Sequence, residues 1–213
     1  MGEITQENFP LAYHKILSLE ELINKTRVWK DKGLIIVATG GRFPDGVKYW
    51  HKCLFQKART GDYRSYLMEH LDEDMLSKID FHLAYMEGPS AINRLIVAVN
   101  SDYSIKELGG ESFYENEMHR AIEVASSVGV DAVVLFDEKT PLRIVEAIKP
   151  HVWVKGCKLP GAKQEYTVEQ LIKLEGKPLT KYGGLVTVIY SGINHSTREH
   201  HARIISKSNL SKK

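Results

Sequence analysis

The chain has 213 residues, 43% hydrophobic and 26% charged, an ordinary globular composition that excludes fibrous and intrinsically disordered classes and allows one sizeable core in a single domain. A formal net charge of +2 argues neither for nor against nucleic acid; none is expected as a partner, and Lys207, Lys212 and Lys213 read as a solvated basic tail. The two cysteines, Cys53 and Cys157, are far apart and form no Cys-x-x-Cys pair, so neither a disulfide framework nor a zinc site is indicated.

Residues 1–10 are polar, without a basic start ahead of an apolar core, and no apolar run reaches the length of a membrane span. A loose N-terminal end, no membrane partner and a reducing, cytoplasmic setting are therefore expected. Ser18 with Glu21 three residues later is a capping box that opens an amphipathic helix carrying Leu19, Leu22, Ile23 and Val28. Residues 34–38 are continuously apolar, as a buried parallel strand is, and Gly40-Gly41 follows as a turn. Over residues 47–59, apolar side chains at Val47, Trp50, Leu54 and Ala58 have helical spacing. Strand, glycine turn and helix together make either a plain tight turn or a phosphate cradle, in which amides unobstructed by Cβ atoms face an anion at the positive end of a helix.

Residues 63–93 interrupt the alternation with helical spacing at Leu67, Leu71, Met75 and Ile79, an acidic cluster at Glu69, Asp72, Glu73 and Asp74, and a break at Gly88-Pro89. The stretch reads as a helical hairpin, either a surface elaboration or a subunit interface or lid. A second strand covers residues 94–99, with Asn100 and Asp102 at its carboxyl end as either turn formers or ligand contacts. A helix over 115–125 carries Arg120, a surface residue or a phosphate-binding fork. A third strand (131–136), a helix (142–148) after Thr140-Pro141, and a short fourth strand (152–154) running into Lys155-Gly156 complete this run. Beyond it lie a helix over 168–174 and a fifth strand over 182–190, and further on Ser196 and Thr197, a pair that can cap a helix or offer donors to a phosphate. His195, His200 and His201 cluster there without an acidic or cysteine partner at ligand spacing, so no metal site is expected.

Continuously apolar strands alternating with helices imply an α/β fold: a parallel sheet of about five strands, helices on both faces, joined by right-handed crossovers. The segment TGGRFPDGVKYWHKCLFQKARTGD then resembles the signature TNGCFDxxHxGHxxxLxxAxxxGD of the cytidylyltransferase-like nucleotidyltransferases, nearest the heptose-1-phosphate adenylyltransferase and glycerol-3-phosphate cytidylyltransferase branch. With Pro44 as an added residue, Thr39, Gly41, Phe43, Asp45, His51, Leu54, Ala58, Gly61 and Asp62 fall into place. Lys48 stands at the first motif histidine and Trp50 at the motif glycine. The stretches KILSLEELINKTRVWKDKGLIIVATGG and DAVVLFDEKTPLRIVEAIKPHVWVKG extend the likeness, although Cys157-Lys158 replaces the expected Gly-Asp, and HSTREHHARI is similar to the family's closing STT-R-I helix start, which implies a helix over 195–204. An alternative register with His82 as the motif histidine is disfavoured, because Gly88-Pro89 would break the helix that must carry it.

The resemblance implies a Rossmann-like nucleotidyltransferase fold with residues 63–93 inserted, and transfer of AMP or CMP from ATP or CTP to a small phosphorylated acceptor such as a sugar 1-phosphate. It implies His51, Lys48 and Arg120 as catalytic residues and Thr39, Gly40, Gly41, Phe43, Lys155, Gly156, Ser196 and Thr197 as nucleotide contacts. Asn100 and Asp102 would lie on the acceptor side. Mg²⁺ would arrive with the nucleotide, and pairing into a homodimer is a further expectation. The altered motif leaves an alternative of a different class: a degenerate member that binds nucleotide or a protein partner without turnover.

Overall fold

In the computed structural model, residues 6–44, 46–60, 93–109, 115–157 and 172–190 are described. The elements are α1 (Pro10–Tyr13), α2 (Leu19–Asp31), β1 (Ile35–Gly41), α3 (Tyr49–Thr60), β2 (Asn93–Asn100), α4 (Asp102–Glu107), α5 (Glu117–Ala125), β3 (Ala132–Phe136), α6 (Leu142–Ile148), β4 (Val152–Cys157), α7 (Lys177–Thr180) and β5 (Leu185–Tyr190). The five strands form one parallel sheet in the order β3-β2-β1-β4-β5. Its growth runs outward from β1 through β2 to β3, then resumes on the other side of β1 with β4. The reversal falls between β1 and β4, and ligands of open parallel sheets bind outside the carboxyl ends of the strands at such a point.

Alternate residues of each strand feed two separate cores, as the two-residue period of a strand requires. Ile35, Val37, Leu95, Val97, Val152 and Val154 pack with Leu54, Phe55 and Ala58 of α3 and Ala121, Ile122 and Val124 of α5. Ile36, Ala38, Ile96, Ala98 and Trp153 pack with Leu22 of α2, Ile144 and Val145 of α6 and Leu179 of α7. Both faces are thus covered by helices, which is why the strand sequences show no polar alternation. The outer edge of β3 is capped by residues 15–17: Val133 N–H donates to the Lys15 carbonyl at 2.7 Å and Leu17 N–H to the Val133 carbonyl at 2.8 Å, using groups that would otherwise template another strand.

Local chemistry explains most boundaries. The Ser18 hydroxyl accepts from Glu21 N–H at 3.2 Å and the Glu21 carboxylate accepts from Ser18 N–H at 2.8 Å, the reciprocal box expected at the start of α2. Several boundaries differ from expectation: β4 runs on to Cys157 and β5 begins at Leu185. β1 continues through Gly40 and Gly41, so the chain leaves the sheet only after them, and α3 begins at Tyr49 rather than Val47. Ser101 caps an additional short helix, α4, directly after β2. The described part of the helix expected over 168–174 winds as a π turn, Ile172–Gly176, ahead of α7. The proposed insertion, apart from Asn93, and the closing helix over 195–204 lie outside the described residues.

Candidate functional site

Gly40 and Gly41 end the central strand at the reversal point, and both lack a Cβ for reasons visible nearby. A Cβ on Gly40 would stand 3.3 Å from the Ala98 carbonyl oxygen and 3.4 Å from the Trp153 ring; one on Gly41 would stand 3.3 Å from the Phe43 ring. Neither takes a positive φ, so close approach and not turn geometry is what selects glycine here. Thr39, one residue earlier, is buried in the ladder opposite Val97.

The loop that follows is held from α5. Phe43, buried, sits in the left-handed region at φ 49° and Gly46 at φ 74°. Arg120 donates from one terminal nitrogen to the Arg42 carbonyl at 2.7 Å and the Asn100 carbonyl at 2.8 Å, and from the other to Asp102 Oδ1 at 2.6 Å. One turn along α5, Glu123 Oε2 accepts from Val47 N–H at 2.6 Å. Arg120 is wholly buried, so its charge is spent on joining the ends of β1 and β2. The resemblance implies a role for this guanidinium in gripping departing phosphates; here it is engaged by the Arg42 and Asn100 carbonyls and by Asp102. Asp102 also accepts from Glu117 N–H at 3.2 Å while its own N–H donates to Glu117 Oε2 at 2.8 Å, and Asn100 donates to Ser104 Oγ at 2.8 Å.

His51 occupies the first turn of α3. Its N–H donates to the Lys48 carbonyl at 3.0 Å, and its Nδ1 accepts from Lys48 N–H at 3.0 Å, so the imidazole does what a glutamate does in a capping box. The Phe43 ring meets it edge-on with centroids 4.8 Å apart, and the Trp50 ring lies 5.4 Å away on tilted planes. The Trp50 indole nitrogen is 3.2 Å from His51 Nε2. Burial first, and the Lys48 ammonium second, lower the His51 pKa to about 4, so the ring is neutral at pH 7. The indole therefore lies against the histidine at the head of α3.

Across the reversal point, Lys155 of β4 donates to both carboxylate oxygens of Glu175, at 2.8 and 3.0 Å, and the Trp153 indole N–H donates to Glu175 Oε2 at 2.7 Å. Gly156 gives α3 room: a Cβ there would lie 3.3 Å from Leu54 Cδ2. The structure therefore gathers Thr39, Gly40, Gly41, Phe43, Lys48 and His51 on one strand–loop–helix unit, sets Lys155 and Gly156 on the adjoining strand, and places Asn100, Asp102 and Arg120 on the β2 side of the same sheet edge. Ser196 and Thr197 lie outside the described residues. Glu123 and Glu175 carry contacts here that the sequence pattern does not announce. Glu123 follows Arg120 by three on one helix and could have been paired with it; Glu175 carries no sequence signal. Among the described residues no group of three or more His, Cys, Asp or Glu side chains gathers to hold a metal ion, and no helix is long and apolar enough to cross a membrane.

No family model matches the chain. It is 31% identical over 191 residues to the Bifunctional protein HldE of Koribacter versatilis, covering 89% of this chain and 31% of that protein. It is 38% identical over 131 residues to the Bifunctional protein HldE of a Marinomonas species, covering 61% of this chain and 25% of that one. The protein of the same name from a Bradyrhizobium species is 31% identical over 202 residues, 92% of this chain and 33% of the relative. The chain thus spans about a third or less of the length of these relatives. Among solved structures, the lipopolysaccharide core biosynthesis protein from Thermoplasma volcanium superposes with a TM-score of 0.47 at 17% identity, covering 74% of this chain and 98% of that one, a likeness too loose to bear on function. The chain is therefore a relative of one portion of the bifunctional HldE proteins, in keeping with its resemblance to the heptose-1-phosphate adenylyltransferase branch of the cytidylyltransferase-like nucleotidyltransferases.

Proposed function

We propose that the chain is a nucleotidyltransferase that moves AMP, or CMP, from a nucleoside triphosphate to a small phosphorylated acceptor such as a sugar 1-phosphate. An acceptor phosphate oxygen bonds to the α-phosphorus, the bond from that phosphorus to the oxygen bridging the β-phosphate breaks, and pyrophosphate leaves with the bonding electrons. Such a reaction asks the protein to align two anions and to neutralise charge that grows on the bridging oxygen. The observation that carries the reading is His51: a neutral imidazole at the sheet's reversal point, its Nδ1 fixed by the Lys48 amide and its Nε2 thereby made the donor.

In this reading His51 donates from Nε2 to a phosphate oxygen and Lys48 supplies a full positive charge at the position where the resembling motif has its first histidine. Thr39, Gly40, Gly41 and Phe43 line the nucleotide side, with Gly156 across from them and with Ser196 and Thr197 as further donors implied by the resemblance. Lys155 joins them to the extent that it exchanges Glu175 for a phosphate. Arg120 acts as a positioning residue through the Arg42 carbonyl, holding the loop that carries Lys48. Asp102, whose side chain is 41% exposed, faces the acceptor side with lone pairs beyond those taken by Arg120 and Glu117, and Asn100 fixes the strand end beneath it. Mg²⁺ would be held chiefly by the nucleotide's phosphates and water, the usual mode for this ion, and would neutralise phosphate charge. Residues 1–213 form one domain in this reading, with 63–93 inserted, and two copies pair.

The Trp50 indole against His51 favours a second reading, a nucleotide or partner binder without turnover. Pyrophosphate release, measured with ATP and CTP against a panel of phosphorylated sugars and polyols, separates the two. Turnover lost in His51→Ala supports transfer; nucleotide binding without pyrophosphate under every acceptor supports the second reading. Absence of binding to either nucleotide, seen as no rise in melting temperature with saturating nucleotide and Mg²⁺, rejects both nucleotide readings.

A further inference from the structure

Nucleotidyl transfer ends with a pyrophosphate, whose negative charge must be met as it leaves. Several basic groups at the carboxyl edge of the sheet are already committed. Arg120 is wholly buried and donates to the Arg42 and Asn100 carbonyls and to Asp102. Lys155 donates to both carboxylate oxygens of Glu175. His51 is neutral at pH 7. Arg42 is not committed: it is exposed, and its guanidinium makes no hydrogen bond or ion pair among the described residues. An exposed arginine is ordinarily a solvated surface residue, and what sets this one apart is how its backbone is held.

Gly41, just before it, lies in the ladder opposite Val99. The Arg42 carbonyl accepts from Arg120 at 2.7 Å, so a buried charge, costly to desolvate, is used to fix the main chain of this residue. Phe43, just after it, is buried in the left-handed region at φ 49°; its ring meets that of His51 at 4.8 Å, and its carbonyl accepts from Gly46 N–H at 3.1 Å. The root of the Arg42 side chain is thus pinned on both sides where the strand order reverses, one residue from the ring that touches His51, while its head is free. A guanidinium is always charged, and its planar fork takes two phosphate oxygens at once. We propose that Arg42 is a phosphate-binding residue: its guanidinium pairs with non-bridging oxygens of the nucleotide's β- and γ-phosphates and stays with them as pyrophosphate leaves. Arg120 acts one step behind it, through the carbonyl it holds. The inference rests on the nucleotidyltransferase reading above.

The test is calorimetric titration of the unaltered protein, Arg42→Gln and Arg42→Lys with ATP and with inorganic pyrophosphate, each with Mg²⁺. Arg42→Gln is expected to bind both about tenfold more weakly or worse, the cost of losing hydrogen bonds between charged groups. Arg42→Lys should regain only part of that affinity, because it restores the charge without the fork. Urea midpoints should not move, since the guanidinium holds nothing else in place. Unchanged ATP affinity in Arg42→Gln, or pyrophosphate binding that is absent or indifferent to the change, overturns the proposal while leaving the nucleotidyltransferase reading intact. Failure of the unaltered protein to bind either nucleotide removes both. Should Arg42→Gln not fold, an arginine-directed dicarbonyl reagent applied to the unaltered protein decides. Arg42, located by peptide mass mapping, is expected to be modified in the free protein and protected by pyrophosphate with Mg²⁺; equal modification with and without pyrophosphate overturns the proposal.

Discussion

Gly46→Ala is the sharpest test of how the candidate site is held. Gly46 sits at φ 74°, where an L side chain costs about 1–2 kcal/mol. Its new Cβ would also fall 1.8 Å from Glu123 Oε2 and 2.6 Å from Glu123 Cδ, so the carboxylate must leave its bond to Val47 N–H. That bond joins a charged acceptor to a backbone amide, but in an exposed setting, and its loss adds about 1–2 kcal/mol. The expected total is about 3 kcal/mol. Gly109 provides the control: at φ 70° it has nothing within 4 Å of a built Cβ, so Gly109→Ala should cost only the first term. Urea unfolding, with equal slopes and shifted midpoints, measures both. In a Glu123→Ala background the Gly46→Ala penalty should shrink to that of Gly109→Ala, and ATP affinity should fall in Gly46→Ala because the same loop carries Lys48. Equal penalties at Gly46 and Gly109, or no relief from Glu123→Ala, would refute the strap from α5.

Glu175→Ala should destabilise by about 2–3 kcal/mol, since it leaves the buried Trp153 indole N–H and the Lys155 ammonium without their shared acceptor, and should tighten ATP binding by freeing Lys155; Glu175→Gln should recover part of the stability, both read by denaturant unfolding and calorimetry. Asp131→Ala should cost about 2 kcal/mol, because Oδ2 accepts from both Leu95 N–H at 2.8 Å and Arg59 Nε at 3.0 Å, with unfolding midpoints as the measure and nucleotide affinity unaffected. Acid should weaken the fold well before the carboxylates titrate. His51 and His151 both have folded pKa values lowered to about 4, chiefly by burial and next by Lys48 and Lys30, so the unfolded chain takes up protons first as pH drops below about 6.5. Stability from each histidine is full above pH 6.5 and drains away down to about pH 4, by about 3 kcal/mol per site at most. His51→Ala should make the stability-against-pH curve shallower in that window; an unchanged curve would show that His51 is not held neutral.

Much of the architecture is legible because it depends on properties that repeat along the chain. Uninterrupted apolar strands alternating with amphipathic helices can only be satisfied by a parallel sheet covered on both faces, and the Ser18–Glu21 box acts within four residues of sequence. Motif residues Thr39, Gly41, Phe43, His51, Leu54 and Ala58 fall on β1, the loop after it and α3. Where the structure departs from the local reading or adds to it, a distant segment decides. β1 continues through Gly40-Gly41, with Gly40 set closely between Ala98 and Trp153, contacts invisible in a local window. Arg120 is a buried brace because the ends of β1 and β2 converge on it.

The sequence by itself determined the α/β class, the strand segments and the strand–loop–helix unit that carries His51, since hydrophobic period and capping chemistry are local and survive without neighbours. Only the tertiary structure decided that β1 and β4 meet at the reversal of the sheet, that Glu123 and Arg120 tie the loop down, that Glu175 neutralises Lys155, and that the Trp50 indole lies against His51. Each of these is a pairing of charges or donors between segments brought together by packing, and no local pattern along a single chain encodes which distant partner a charged side chain will meet.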